Sequence, residues 1–158
     1  MSDSTGFDTP DKLDSLDSSG GSEISFEEQE FINYCEANEF DYNEESMDED
    51  ALRDFLKIKK RFTKAVSEKR LVIDGDKAEY TVSSKSEGMA GQKIIIHRPN
   101  GRTLLAMDNY KEGQQQSKLM AYMAALCKIP RNEIHKISSL DKKDHAIIQD
   151  IAVLFLTE

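Results

Sequence analysis

Long apolar runs are what this sequence most lacks. No stretch approaches the ~18 consecutive apolar residues of a membrane span. Hydrophobic residues make up 38% of the chain and its mean hydropathy is −0.61. That is low for a chain folded from end to end, and it predicts a segment without a core. Cysteine is scarce. Cys35 and Cys127 are the only two, with no CxxC spacing, which fits a reducing cytoplasm better than a disulfide scaffold. The start, MSDSTGFDTPDKLDSLDSSGGS, has neither a basic n-region nor an apolar h-region, so a secretory signal is not expected. The 158 residues give room for one domain of ordinary size plus tails.

Catalytic and phosphate-binding signatures are missing as well. The stretch KIIIHRPNGRTLLAMDNY, 93–110, runs from strand to glycine corner to helix, as many phosphate sites do. It has a single glycine, Gly101, followed by Arg102. Walker A needs two glycines and a lysine, and a dinucleotide fingerprint needs three spaced glycines. Arg98 and Arg102 are therefore expected to be solvated loop residues. His97, His135 and His145 are scattered, and Cys127, His135 and His145 are eight and ten positions apart, which matches no zinc spacing. There is no GxSxG and no HExxH. Most carboxylates lie where no rigid pocket is expected to tune them. An enzyme is the least supported class, and no metal or cofactor is expected.

Charge is abundant but unevenly spread. Residues 1–54 hold 18 Asp and Glu against Lys12 and Arg53, a balance of −16. Residues 55–158 hold 12 against 19 Lys and Arg, a balance of +7. An acidic arm thus precedes a mildly basic body. Either the arm keeps the protein soluble or it covers a basic surface until a partner displaces it. Residues 1–22 are Ser, Asp and Gly with few apolar side chains, so a disordered arm is expected there.

Two capped helices are expected over 23–70. Ser25 and Glu28 form one Ser-x-x-Glu box, and Ser46 and Glu49 a second. The first helix carries Phe31, Ile32 and Cys35 on a narrow face and is expected either to dock loosely on the body or to wait for a partner. In the second, Ala51, Phe55, Ile58, Phe62 and Ala65 recur at spacings of 4, 3, 4 and 3, which places them on one stripe. Segment 57–70, KIKKRFTKAVSEKR, has seven Lys and Arg and one Glu. Lys57, Lys60, Arg61 and Lys64 occupy the side opposite the stripe, as a solvated face would. A nucleic-acid-associated regulator using this helix is the alternative function.

From residue 71 the period changes. Leu71–Ile73 and Glu79–Val82 are β-rich, with Asp74-Gly75 as a hairpin signal. Residues 83–92 read as a flexible loop, and Lys93–His97 as a further strand. Helices are then expected over 102–110 and 114–128, with Leu119, Met120, Met123, Ala124 and Cys127 on one face of the latter. A short helix is expected after Pro130, and a last one to Thr157, capped at Ser138, with Ile147, Ile148, Ile151, Leu154 and Phe155 buried. The fold class is α+β, a small antiparallel sheet followed by a helical bundle.

The stretch from 93 onward has four linked features: RPNGRTLLAMDNYKEG, the apolar helix LMAYMAALCKIP, the step EIHKISSLD, and a last helix ending VLFL. This pattern resembles the small tail assembly chaperones of long-tailed phages, particularly those of contractile-tailed phages and prophages. The resemblance covers 71–158, taken as a tail-assembly-chaperone-like domain. The arm and the two leading helices are additional to the family pattern. The resemblance implies a non-catalytic protein in the bacterial host cytoplasm. It would bind the tape measure protein, a long helical chain, and keep it soluble during tail assembly. The tail tube protein and a second copy of the chain are further candidate partners, and neither nucleic acid nor membrane is expected. Methionines offer pliable apolar surface to varied client segments. The candidate partner-binding residues are Phe55, Ile58, Phe62, Met107, Met120, Met123 and Leu126.

Overall fold

The computed structural model describes residues 23–108 and 110–157. The acidic arm, 1–22, lies outside the described residues. The described chain is α+β: six helices and one three-stranded antiparallel sheet.

Helix α1, Phe26–Ala37, starts where expected, because the Ser25 hydroxyl accepts the Glu28 amide at 3.1 Å. The Glu28 carboxylate takes Lys59 at 2.8 Å. Phe31, Tyr34 and Cys35 are buried, so the helix is part of the core rather than loosely docked. Its rings form a tilted and edge-on cluster: Phe31 lies 5.0 Å from Phe62, Tyr34 5.5 Å from Phe62, and Phe40 4.8 Å from Phe155. Such geometries suit the ring quadrupoles and add to the area buried. Asn38 closes the helix and donates to the Tyr34 and Asp76 carbonyls, at 3.0 and 3.3 Å. That joins the end of α1 to the turn of the sheet. No described group hydrogen-bonds the buried Tyr34 hydroxyl. Tyr34→Phe is therefore expected to leave stability unchanged or raise it by about 1 kcal/mol, since it removes an unmatched polar group without opening a cavity. A loss beyond that in urea unfolding would show that the hydroxyl has a partner.

Helix α2, Glu49–Ser67, corrects the second capping box. A short 3₁₀ turn occupies Glu44–Ser46, and Asp48 caps the helix by accepting the Ala51 amide at 2.8 Å. Asp48→Ala is expected to cost about 1 kcal/mol and Ser46→Ala less than half of that. Thermal unfolding of the two variants distinguishes the caps. Phe55, Ile58, Phe62 and Ala65 are buried as their spacing predicts, but Ala51 is exposed. The buried stripe begins one turn later, at Phe55, whose ring lies 5.6 Å from Phe31 of α1.

The sheet has the order β1-β2-β3, with β1 Leu71–Asp74, β2 Lys77–Thr81 and β3 Lys93–Ile96. The hairpin turn is Gly75-Asp76, and Gly75 adopts φ +63°, a left-handed value that favours glycine. Leu71 and Ile94 flank Tyr80, and Ala78 pairs Ile96. These five side chains form the buried face. Val72 and Ile95, on either side of Glu79, lie on the exposed face.

After β3 come α3, Gly101–Leu105, and α4, Gln115–Leu126, both shorter than expected. Pro130 leads into a 3₁₀ turn, Arg131–Glu133, and then α5, His135–Ser138. Helix α6, Lys142–Leu156, is capped by Asp141, which accepts the Lys143 amide at 3.2 Å. Ser138 ends α5 and does not cap α6. Ile147, Ile148, Ile151 and Leu154 are buried and Phe155 is half-buried. A single cluster of buried residues takes side chains from α1, α2, the sheet, α4, α5 and α6. The two leading helices therefore share their core with the region after residue 70.

Candidate functional site

Five of the seven candidate partner-binding residues are core. Phe55, Ile58, Phe62, Met123 and Leu126 are buried within the chain, so this fold does not present them to a partner. Helical spacing shows which side of α2 is apolar. It does not show that α1 of the same chain covers that side. Met107 and Met120 are half-buried against the same core. The Met120 sulfur lies 3.5 Å from His145 Nε2.

One exposed apolar pair lies beside Met107; Ile24, Phe26, Leu56, Val72, Ile95 and Leu156 are exposed elsewhere on the described chain. Asn100, four residues after β3 ends, caps α3, its side chain accepting the Arg102 and Thr103 amides at 2.9 and 3.2 Å. The Thr103 hydroxyl accepts the Asn100 amide at 3.1 Å, which completes a capping box. Thr103 is buried, so the two residues after it turn outward. Leu104 is 52% exposed and Leu105 62%. A five-residue helix has too little surface to bury apolar residues on every side. Helix α3 packs against α4. Arg98 next to this corner is not simply solvated. It donates to the Ala37 carbonyl at 3.1 Å and lies 3.3 Å from the Glu39 carboxylate.

A second constellation centres on Asp144, whose side chain is 0% exposed. Its carboxylate accepts the Tyr80 hydroxyl at 2.5 Å, the Ser86 hydroxyl at 2.6 Å and the Ser83 hydroxyl at 2.7 Å, with the Ser83 amide at 3.2 Å. The Arg70 guanidinium is 3.6 Å away. Burial alone would raise the Asp144 pKa. The hydrogen bonds from Ser86, Tyr80 and Ser83 outweigh it and hold the carboxyl below its ordinary value. Burial, then the hydrogen bond to Asp144, pushes the Tyr80 phenol up. The loop 83–92, expected to be flexible, is thus tied to α6 through Ser83 and Ser86. The Ser86 hydroxyl also accepts the Asp141 amide at 2.7 Å. A second buried carboxylate, Asp150, takes the Arg61 fork at 2.6 and 2.8 Å. Burial nonetheless raises its pKa against the pull of that arginine.

Arg61 and Arg70 also line a cleft of about 410 Å³ with Lys64, Lys142 and Lys143, and Glu68 is its single acidic lining residue. Tyr80, Ala146 and Ile147 supply less polar surface there. The basic helix of 57–70 is partly neutralised from within. Lys59 reaches Glu28 at 2.8 Å and Glu44 at 3.1 Å, and Arg61 is held by Asp150. Among the described residues, no group of three or more His, Cys, Asp or Glu is placed to hold a metal ion, and no helix is long and apolar enough to cross a membrane. No family model matches the chain, and neither does any curated protein or solved structure.

Proposed function

We propose that the chain is a non-catalytic tail assembly chaperone of a phage or prophage. It acts in the host cytoplasm by binding the tape measure protein and keeping that long helical client soluble. The observation that carries this reading is the pair Leu104 and Leu105, more than half exposed on a helix fixed by its own capping box. The pair lies within RPNGRTLLAMDNYKEG, a stretch on which the resemblance to this family rests. Contiguous exposed leucines on a small domain favour a protein partner. An amphipathic client helix supplies matching apolar side chains at i, i+3 and i+4. Half-buried Met107 is next to the pair in sequence and adds an adaptable neighbour.

Contacts of this kind are hydrophobic, so they persist at high salt, where charge contacts are screened. The test is co-expression with the longest helical protein encoded among the same tail genes. A several-fold rise in the soluble fraction of that protein supports the proposal. An unchanged fraction counts against it.

A further inference from the structure

The first turn of α6 carries charge that works against the helix. Lys142 and Lys143 are its first two residues, at the positive end of the dipole, where lysine is disfavoured. Both are exposed, and neither has an acidic partner among the described residues. Asp141, just before them, caps the helix through the Lys143 amide and does not line the cleft. The two lysines line the cleft of about 410 Å³ with Arg61 and Lys64 of α2 and with Arg70, just before β1. Lys64 is exposed and likewise lacks an acidic partner among the described residues.

The two arginines are already engaged. Arg61 gives its fork to Asp150 at 2.6 and 2.8 Å, and Arg70 lies 3.6 Å from both Glu68 and Asp144. Five cations thus face three carboxylates, which leaves two positive charges unmatched. Their carriers are lysines, compact point charges with no planar fork. A lone carboxylate would match half of that surplus, and it is best held by a guanidinium fork. A phosphomonoester matches it more closely: near neutral pH it carries almost two charges and offers three acceptor oxygens. Ala65, Tyr80, Ala146 and Ile147 give the cleft a less polar wall. Its volume falls within the range of about 300–1,000 Å³ usual for small-ligand pockets.

We propose that this cleft binds a small phosphomonoester. The phosphate sits on Lys64, Lys142 and Lys143, and an apolar or aromatic body rests against Ala146 and Ile147. The lysines in the first turn of α6 then serve the ligand at the helix's expense. The site includes neither Leu104 nor Leu105, so it is independent of the client surface.

NMR titration of the full chain with adenosine monophosphate near neutral pH tests it. Saturable shifts are expected at Lys64, Lys142 and Lys143, with a dissociation constant of about 1 mM or tighter. Adenosine, the same body without the phosphate, is expected to bind about tenfold more weakly or worse. Lys142→Gln with Lys143→Gln is expected to weaken the nucleotide by about tenfold or more. Its melting temperature is expected to stay or rise, because both side chains are exposed and opposed by the dipole. Glu68→Gln removes the single acidic lining residue and is expected to tighten binding several-fold, a gain that no loss of fold can imitate. Equal binding of adenosine, shifts that fail to saturate or fall elsewhere, or an unchanged affinity in the double lysine variant would overturn the proposal. So would displacement of the nucleotide by an oligonucleotide without terminal phosphates at a lower nucleotide concentration, which would give the cleft to a nucleic-acid backbone instead.

Discussion

Asp144→Ala is expected to lower the unfolding free energy by about 3–5 kcal/mol, the range for removing one partner of a buried charged network. The carboxylate accepts from Tyr80, Ser83 and Ser86 and faces Arg70. Its loss leaves the hydroxyls of buried Tyr80 and Ser86 without their acceptor, and each then carries its desolvation cost. Arg70, which is partly exposed, keeps Glu68. The substitution also releases the 83–92 loop from α6. Asp144→Asn keeps the shape and one acceptor oxygen, so a smaller loss is expected.

The pH dependence follows from the depressed pKa. The folded value lies below the ordinary one near 3.9, so the folded state binds the proton less readily than the unfolded chain. This contribution is fully present above the unfolded pKa and is lost as pH falls through the folded one. Urea unfolding of the wild type and Asp144→Asn at neutral pH and across the acid range separates the effects. The difference between them is expected to shrink toward low pH. An alanine variant within about 1 kcal/mol of wild type would contradict the hub's role.

Leu104→Asp with Leu105→Asp is expected to weaken the proposed client binding by about 30-fold or more. Each leucine, half-exposed in the free chain, has about 1 kcal/mol or more of burial left to gain on docking. Placing a carboxylate in the same contact adds its desolvation cost. Stability is expected to change by less than about 0.5 kcal/mol, because neither side chain belongs to the core. Substitutions at Met123 or Leu126 differ in kind: both are buried, and their loss lowers stability by about 2–5 kcal/mol. Titration of the purified client against the double variant, alongside its melting temperature, tells a lost surface from a lost fold.

Local periodicity made much of the fold legible. The 4, 3, 4, 3 spacing gave α2 and its buried side, and the period-2 segments around Gly75 gave the hairpin. Competing local signals misplaced the caps. Ser46 and Asp48 both precede Glu49 closely and both residue types cap helices well; Asp48 is the one that takes the Ala51 amide. The Asp144 hub was not legible, because Tyr80, Ser83 and Ser86 lie 58 to 64 positions away in sequence. A lone aspartate in the first turn of a helix reads as an ordinary dipole partner. The proposed client surface was half legible. The corner and its helix were visible in RPNGRTLL, but which leucines stay exposed depends on how α3 meets α4. The spacing of Phe55, Ile58 and Phe62 alone does not tell a partner surface from a core face, and Phe31 of α1 packs on Phe55 and Phe62.

The most direct test of the central claim is a pull-down between the purified full chain and its proposed client, a phage tape measure protein. It should be done after nuclease treatment, at low and at high salt, with the Leu104→Asp, Leu105→Asp variant in parallel. The account predicts a complex that survives nuclease and salt and is lost in the variant. Recovery that depends on nucleic acid, or equal recovery by the variant, would contradict it.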